Sequence, residues 1–215
     1  MTTGKAMSIK GLSFIVAFAI AFSLSAVTTA SAYHTHFQST QCTTEPPVFI
    51  GSDLTRYAAL AYAYHGRFEG YQWGGGCWND NNVDDSPGDP TENPNTGGEG
   101  GDCSGFTFKV WRESTDENAA GAYQWNMLRN IHGPYTADRF RHGDGAPNVT
   151  YAKSGLIAMD ALASAHHIGL IYATNADGTD QIIEAKGEAY GTNIWTRTYR
   201  GDTSYGGVRR LGWTG

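Results

Sequence analysis

A cysteine at the start of a predicted helix is the residue in this chain best placed to do chemistry. Cys103 follows two glycines and Asp102, and the apolar residues Phe106, Phe108 and Val110 come after it. An aspartate in that position caps a helix, and the free N–H groups and dipole of a helix N-terminus favour negative charge. The thiolate is the nucleophilic form of cysteine, and it attacks carbonyl carbon when a base stands nearby. We therefore searched the chain for a base and for a group that orients it.

The base and its orienting group are predicted on two neighbouring strands of an antiparallel sheet, at His167 and Glu184. Side chains alternate along a strand, so an even-membered turn near residues 175–177 brings these two to one face, opposite or one diagonal step apart. A one-residue change in that turn would separate them. Together with Cys103 they match the nucleophile, base and orienting group of cysteine acyl-transfer chemistry.

The chain has three cysteines, an odd number for an oxidising compartment. A disulfide between Cys42 and Cys77 would tie the N-terminal arm to the domain and leave Cys103 free. A bridge between Cys77 and Cys103 is the alternative, and it would remove the nucleophile. We predict the first pairing.

The first 32 residues have the features of a secretory signal peptide. Lys5 and Lys10 precede an apolar run at residues 12–24, and Ala-Ser-Ala at residues 30–32 is a small-residue cleavage site. The apolar run is short for a membrane span. We expect a secreted protein with no stable membrane association after cleavage.

The mature chain is predicted to consist of an N-terminal arm, residues 33–51, and one domain, residues 52–215. Loss of two lysines with the signal takes the formal net charge from −6 to −8. A chain this acidic is a poor candidate for binding nucleic acid. Four arginines late in the chain are interpreted as a solvated strand face, namely Arg197, Arg200, Arg209 and Arg210.

A long acidic loop is predicted at residues 77–101, where the sequence is polar, rich in glycine and free of Lys and Arg. Asp80, Asn82 and Asp84 have the spacing of the first ligands of a calcium loop. The glycine and glutamate that complete such a loop are missing. We therefore predict no metal site.

Periodicity predicts helices in the first part of the domain and strands in its last third. A helix capped by Ser52 or Asp53 should end at Gly66, and a second helix should cover residues 119–131. Residues 133–153 are predicted to form a loop. Strands are predicted at residues 156–162, 167–173, 181–186 and 208–213. The predicted fold class is α+β, with an antiparallel sheet.

Five motifs follow one another along the chain. They are Tyr71-Gln72-Trp73-Gly74-Gly75, Asp102-Cys103-Ser104-Gly105-Phe106, Met159-Asp160-Ala161-Leu162, His167-Ile168-Gly169-Leu170-Ile171-Tyr172 and Ile182-Ile183-Glu184-Ala185. In this order they resemble the signatures of the NlpC-type cell-wall peptidases of the papain-like superfamily, over residues 54 to 213. The resemblance implies a papain-like core, in which the nucleophile helix packs on a sheet that carries the other catalytic residues.

The resemblance also implies residue roles. Cys103 would be the nucleophile, His167 the general base and then acid, and Glu184 the group that orients His167. Backbone N–H groups near Cys103 would hold the oxyanion. Three residues are implied to shape the site around the substrate: Tyr71, Asp102 and Ser104. The implied target is the amide bond after γ-D-glutamate in the stem peptides of bacterial peptidoglycan.

Two departures from the family pattern matter for function. Histidine is the commoner occupant of the third catalytic position, although an acid can orient an imidazole as well. The loop before Asp102 is also longer than in most relatives, which bears on substrate choice. We expect a monomer that needs no cofactor. The alternatives are an amidase or transamidating enzyme of the same superfamily, and a catalytically silent module that binds cell wall.

Overall fold

The computed structural model describes Met1 and residues 54–77, 100–123, 132–187 and 189–214. The predicted signal peptide, the arm, the calcium-like spacing and the Cys42–Cys77 disulfide involve residues or side chains outside this part. The helices of the described part are α1, Arg56–His65; α2, Cys103–Val110; and α3, Ala137–Arg141. None of them is long and apolar enough to cross a membrane.

Six strands form one antiparallel sheet and two more form a small ribbon. The ribbon pairs β1, Gly76–Cys77, with β2, Gly100–Gly101. The strands of the sheet are β3, Asn148–Tyr151; β4, Ala161–Ala163; β5, Ile168–Thr174; β6, Asp180–Gly187; β7, Gly191–Arg197; and β8, Gly206–Arg210. Their spatial order is β3-β8-β4-β5-β6-β7. The fold is α+β, in agreement with the predicted class.

Helix α2 is the central helix of the fold. The Asp102 carboxylate caps it, as the sequence predicts, by accepting hydrogen bonds from the backbone N–H groups of Ser104 and Gly105. Every residue from 104 to 110 is buried. Phe106 and Phe108 belong to the main apolar core, which α1 and the inner face of the sheet complete. Burial on all sides fixes the helix, and with it the position of Cys103 at its first turn.

The structure corrects several predicted elements. The first helix ends at Gly66 as predicted, but its cap is the Thr55 hydroxyl, which accepts from the Ala58 N–H at 3.0 Å. The loop predicted at residues 133–153 contains α3 and β3. The second predicted helix is absent from residues 119–123, and its remaining residues are not described. Strand β7 was not predicted, although it contains Ile194, Trp195 and Thr196, because Gly191 and Asn193 reduce its strand-forming residues to a short run.

The turn between β5 and β6 has an odd number of residues, whereas an even number was predicted. Thr174 pairs with Asp180, so the turn comprises residues 175–179, an odd number. Continued without interruption, that register would place His167 and Glu184 on opposite faces of the sheet.

A β-bulge between Ile171 and Ala173 corrects this register. The bulge adds one residue to β5, so that beyond it Gly169 lies opposite Glu184. His167, two residues before Gly169, therefore shares a face with Glu184 at one diagonal step. The predicted pair forms, although through an odd turn and a bulge instead of an even turn.

Candidate active site

Cys103 is the first residue of α2 and carries a free, partly exposed thiol. The alternative disulfide between Cys77 and Cys103 is therefore not formed. The position combines access for a ligand with the positive end of the helix dipole.

His167 lies one residue before β5 and joins Cys103 to Glu184. Its Nε2 is hydrogen-bonded to Oε2 of Glu184, and Cys103 lies close enough to act on the ring electrostatically. Because Glu184 occupies Nε2, the nitrogen left for the sulfur is Nδ1. The side chain of His167 is 18% exposed, whereas that of Glu184 is fully buried. The three predicted catalytic side chains thus lie together, with His167 between the other two.

The charge state of His167 follows from these contacts. Burial by itself would lower the pKa of the imidazole, but the hydrogen bonds and charges of Cys103 and Glu184 outweigh it. Together they raise the pKa of His167 to about 10. The ring is therefore an imidazolium at neutral pH, and a cation beside the sulfur stabilises a thiolate.

Two further side chains hold the Glu184 carboxylate. Arg197, on β7, donates from Nε to Oε1 at 2.6 Å, and the Tyr199 hydroxyl donates to Oε2 at 3.2 Å. Gly169 leaves the space through which the carboxylate reaches His167, because a Cβ there would lie 3.1 Å from Oε2. These bonds fix the carboxylate against the imidazole, and its hydrogen bond and charge help to raise the pKa of His167.

An aromatic stack borders the same pair. The rings of Tyr199 and Tyr205 stack with centroids 4.1 Å apart, and Tyr199 meets the His167 ring edge-on at 6.1 Å. Burial raises the pKa of Tyr199, and the nearby Glu184 charge raises it further. The Tyr199 phenol therefore stays protonated at neutral pH and remains a hydrogen-bond donor to Glu184.

A second histidine–carboxylate pair lies on the other side of the nucleophile. His132 is fully buried, and its Nε2 lies 3.0 Å from both oxygens of Asp102, the residue that precedes Cys103. Its Nδ1 lies 2.8 Å from the carbonyl oxygen of Gly133. His132 was not among the predicted site residues, because no spacing in the sequence connects it to Asp102.

Asp102 and Ser104 are engaged inside the protein. Each is 3% exposed. The Asp102 carboxylate accepts from the Ser104 hydroxyl at 2.8 Å and from the Gly74 N–H at 3.1 Å, besides its two bonds to the first turn of α2. Burial would raise the pKa of Asp102, but His132 and the other donors lower it below its ordinary value. Contact between this carboxylate and a substrate requires one of these bonds to open.

Tyr71 belongs to the segment, residues 71–75, that is hydrogen-bonded to the helix cap Asp102. It is half-buried against the main core, three residues before Gly74, whose N–H donates to Asp102. Gly75 adds a second link, because its carbonyl oxygen accepts from the Asp102 N–H at 3.0 Å. The contribution of Tyr71, Asp102 and Ser104 to substrate binding stays a prediction.

The first turn of α2 leaves one backbone donor for an oxyanion. The N–H groups of Ser104 and Gly105 donate to the Asp102 side chain, and that of Phe106 donates to the Asp102 carbonyl at 2.8 Å. The Cys103 N–H has no acceptor among the residues that the structure describes. Of the N–H groups near Cys103 that were predicted to hold an oxyanion, its own is the one available.

The interpretation of the late arginines as a solvated strand face is wrong. Three of them pair with buried acidic groups, and the fourth is itself buried. Arg200 lies 2.8 Å from Asp180, and Arg209 lies 2.6 Å from Asp160. Arg197 pairs with Glu184, and the buried Arg210 lies within electrostatic reach of Glu113. Arg197 is thus an additional site residue, and only knowledge of β7 could have identified it.

Comparisons with other proteins do not assign the site. The chain matches no protein-family model, no curated protein and no solved structure. In the described ranges, no group of three or more His, Cys, Asp and Glu side chains is arranged to hold a metal ion. The function has to be argued from the geometry around Cys103.

Proposed function

We propose that this protein is a secreted cysteine peptidase with a papain-like core that hydrolyses an amide bond in peptidoglycan stem peptides. The observation that carries the proposal is the position of His167, which is hydrogen-bonded to Glu184 and lies beside Cys103. Thiol acyl transfer needs a nucleophile, a base and a group that orients the base. Here these are the free thiol at the helix N-terminus, the imidazole beside it, and the buried carboxylate bonded to the other ring nitrogen.

The first half of the proposed reaction forms a thioester. The Cys103 thiolate attacks the carbonyl carbon of the scissile amide, and the Cys103 N–H donates to the oxygen that becomes negative. The His167 imidazolium gives its Nδ1 proton to the amide nitrogen, the carbon–nitrogen bond breaks, and the amine product leaves. The acyl part stays on sulfur, and His167 is left neutral.

The second half consumes water. Neutral His167 takes a proton from a water molecule, the hydroxide attacks the thioester carbon, and the carbon–sulfur bond breaks to release a carboxylic acid and the Cys103 thiolate. Glu184 keeps Nε2 protonated throughout, so that Nδ1 is the nitrogen that exchanges protons. Arg197 and Tyr199 hold Glu184 in that orientation.

The choice of substrate is supported by the motifs. The order Tyr71 to Gly75, Asp102 to Phe106, His167 to Tyr172 and Ile182 to Ala185 resembles that of NlpC-type cell-wall peptidases. A signal-like N-terminus and a negative formal charge are compatible with an enzyme that diffuses to its substrate outside the cell.

The proposal is tested by incubating the mature chain, residues 33–215, with purified sacculi and with soluble stem peptides. Mass spectrometry of the fragments should find a new carboxyl terminus at γ-D-glutamate and a new amino group on the next residue. Cys103→Ala is the matched control, and it should release nothing while its circular dichroism stays that of the wild type.

Other outcomes would replace the proposal. Equal fragment release by Cys103→Ala would exclude the thiol mechanism. Release of ammonia without chain cleavage would indicate an amidase, and incorporation of an added amine would indicate a transamidating enzyme. Binding to sacculi without any product would indicate a silent binding module.

A further inference from the structure

The hydrogen bonds of His132 require a charged ring. Nδ1 faces the carbonyl oxygen of Gly133 at 2.8 Å, and Nε2 faces the two oxygens of Asp102 at 3.0 Å. Nε2 also lies 3.1 Å from the Ser104 hydroxyl, but the one proton of that hydroxyl is donated to Asp102, which leaves the oxygen as an acceptor here. Both ring nitrogens therefore face acceptors, and a neutral imidazole donates from one nitrogen alone. His132 is therefore an imidazolium. Its pKa is raised accordingly, because Asp102 and Gly133 outweigh the effect of burial.

The ion pair requires an ionised Asp102, and the hydrogen-bond donors around Asp102 stabilise its charged form. Its oxygens accept from the N–H groups of Gly74, Ser104 and Gly105 and from the Ser104 hydroxyl, in addition to His132. Donors of this number stabilise the charged form of a carboxylate.

The capping aspartate also creates an electrostatic problem for the nucleophile. It is the residue next to Cys103, and a lone negative charge there would oppose formation of the thiolate. Among the described groups that act on Asp102, His132 is the one that brings a positive charge. The Asp102–His132 pair has no net charge. Asp102 can therefore cap the helix without destabilising a thiolate at Cys103.

The chain makes room for this pair at one glycine. A Cβ on Gly105 would lie 2.9 Å from Cδ2 of His132 and would clash with the carbonyl oxygen of Gly75. Gly105 therefore allows both the imidazole and the segment before β1 to pack against the first turn of α2.

We propose that His132 is a positioning residue for the nucleophile, which neutralises and holds the Asp102 cap so that the adjacent Cys103 can be a thiolate. This inference rests on the proposed function, in which Cys103 attacks the substrate. His132 acts through Asp102 and has no contact with the reacting atoms.

The test compares the rate of Cys103 alkylation by iodoacetamide in the wild type and in His132→Gln, as a function of pH. Peptide mass spectrometry follows Cys103 separately from the other cysteines. Glutamine keeps a donor toward Asp102 but carries no charge. We expect alkylation at pH 7 to slow by about tenfold and the midpoint of the profile to move up by about one pH unit, as for one uncompensated nearby charge.

Two further variants complete the design. The double variant Asp102→Asn/His132→Gln has no charge on either residue, and its alkylation profile should return toward that of the wild type. The matched control is His142→Gln, since His142 also contacts an aspartate, Asp138, but at the surface. That control should alkylate like the wild type.

A folded His132→Gln with the wild-type profile would overturn the inference, and so would a double variant no faster than the single one. If His132→Gln does not fold, the ring ¹⁵N chemical shifts of His132 in the wild type decide. Two protonated nitrogens at pH 7 support the inference, and a neutral ring overturns it. Failure of the proposed function is distinguishable, because the wild type would then hydrolyse no stem peptide.

Discussion

Two histidine–carboxylate pairs flank the same sulfur, and they differ in access. His167 lies beside Cys103 and is partly exposed, while its partner Glu184 is buried. His132 is fully buried against Asp102 and reaches Cys103 only through the backbone of its partner. One pair therefore reaches the surface beside Cys103, and the other lies wholly in the interior.

The difference shows how one kind of ion pair can serve two purposes. One ring nitrogen of His167, Nε2, is bonded to a carboxylate, and the other, Nδ1, is left for the sulfur. Nδ1 can therefore exchange a proton during a reaction. Both nitrogens of His132 face acceptors, namely the Gly133 carbonyl, the Asp102 carboxylate and the Ser104 hydroxyl, whose own proton is donated to Asp102. No group beside His132 can take up a ring proton during a reaction. The role of His132 is therefore to supply a positive charge and to hold Asp102 in place.

The largest expected effect is on turnover. His167→Gln should lower the rate of stem-peptide hydrolysis by about a thousandfold, within the range for loss of a general acid and base. The midpoint of urea unfolding should stay near that of the wild type, because Arg197 and Tyr199 still partner Glu184. His166→Gln, at the exposed neighbouring position, is the control and should remain active. Equal losses in the two variants would remove His167 from the mechanism.

The second histidine should affect stability more. His132→Ala should lower the free energy of unfolding by about 3–5 kcal/mol, because it leaves the Asp102 charge buried and uncompensated. Urea unfolding measures this, and the exposed His142→Ala should change it by less than about 0.5 kcal/mol. A His132→Ala protein as stable as the wild type would show that the buried pair is not an ion pair.

The stability difference should also depend on pH. The pKa of Asp102 is lowered, so its contribution is present above its unfolded value of 3.8 and is lost as pH falls through the folded value. The pKa of His132 is raised, so its contribution is complete below its unfolded value of 6.5 and is lost as pH rises through the folded value. The difference between the wild type and His132→Ala should therefore peak between these values, near pH 5.

Removal of the arginine behind Glu184 should have an intermediate effect on activity. Arg197→Met should lower kcat by about tenfold to a hundredfold, the size of one lost hydrogen bond to a charged group. Arg197→Lys should restore part of it. Arg200→Met is the matched control, since Arg200 also pairs with a buried acid, Asp180, but has no contact with His167. A kcat loss in Arg200→Met as large as in Arg197→Met would indicate a structural effect only.

The smallest expected effect is a shift in a pH profile. The pKa of His167 is raised to about 10, so hydrolysis in the wild type should decline near that pH, where the acid for the leaving amine is lost. Alkylation of the thiolate needs no acid and should not decline there. Glu184→Gln removes one of the charges that raise this pKa, and its hydrolysis should decline about one pH unit lower. An unchanged decline would mean that another group sets it.

The sequence was sufficient to predict the parts that local chemistry determines. The Asp102 cap, the start of α2, the end of α1 at Gly66 and the strands of His167 and Glu184 all follow from capping, glycine and alternation. Even the His167–Glu184 pair was predicted, although by an assumed even turn. A bulge cannot be read from one sequence, because it is a response of the sheet to its turn and to its packing.

Long-range pairs of charges were beyond that analysis. His132 and Asp102 are 30 residues apart, with no periodicity to connect them. The pairing of Arg197 with Glu184 can be predicted only once β7 is known, and the strand-forming residues of β7 make a short run. Tertiary packing, not local preference, creates both contacts, and both belong to the environment of Cys103.

The most direct test of the central claim is to trap the intermediate. The wild type mixed with a stem peptide and quenched in acid within milliseconds should carry, on the tryptic peptide that contains Cys103, an added mass equal to the acyl half of the substrate. Glu184→Gln should carry it as well, and Cys103→Ala should not. Cleaved substrate with no adduct on Cys103 at any time, and with undiminished cleavage by Cys103→Ala, would contradict the account.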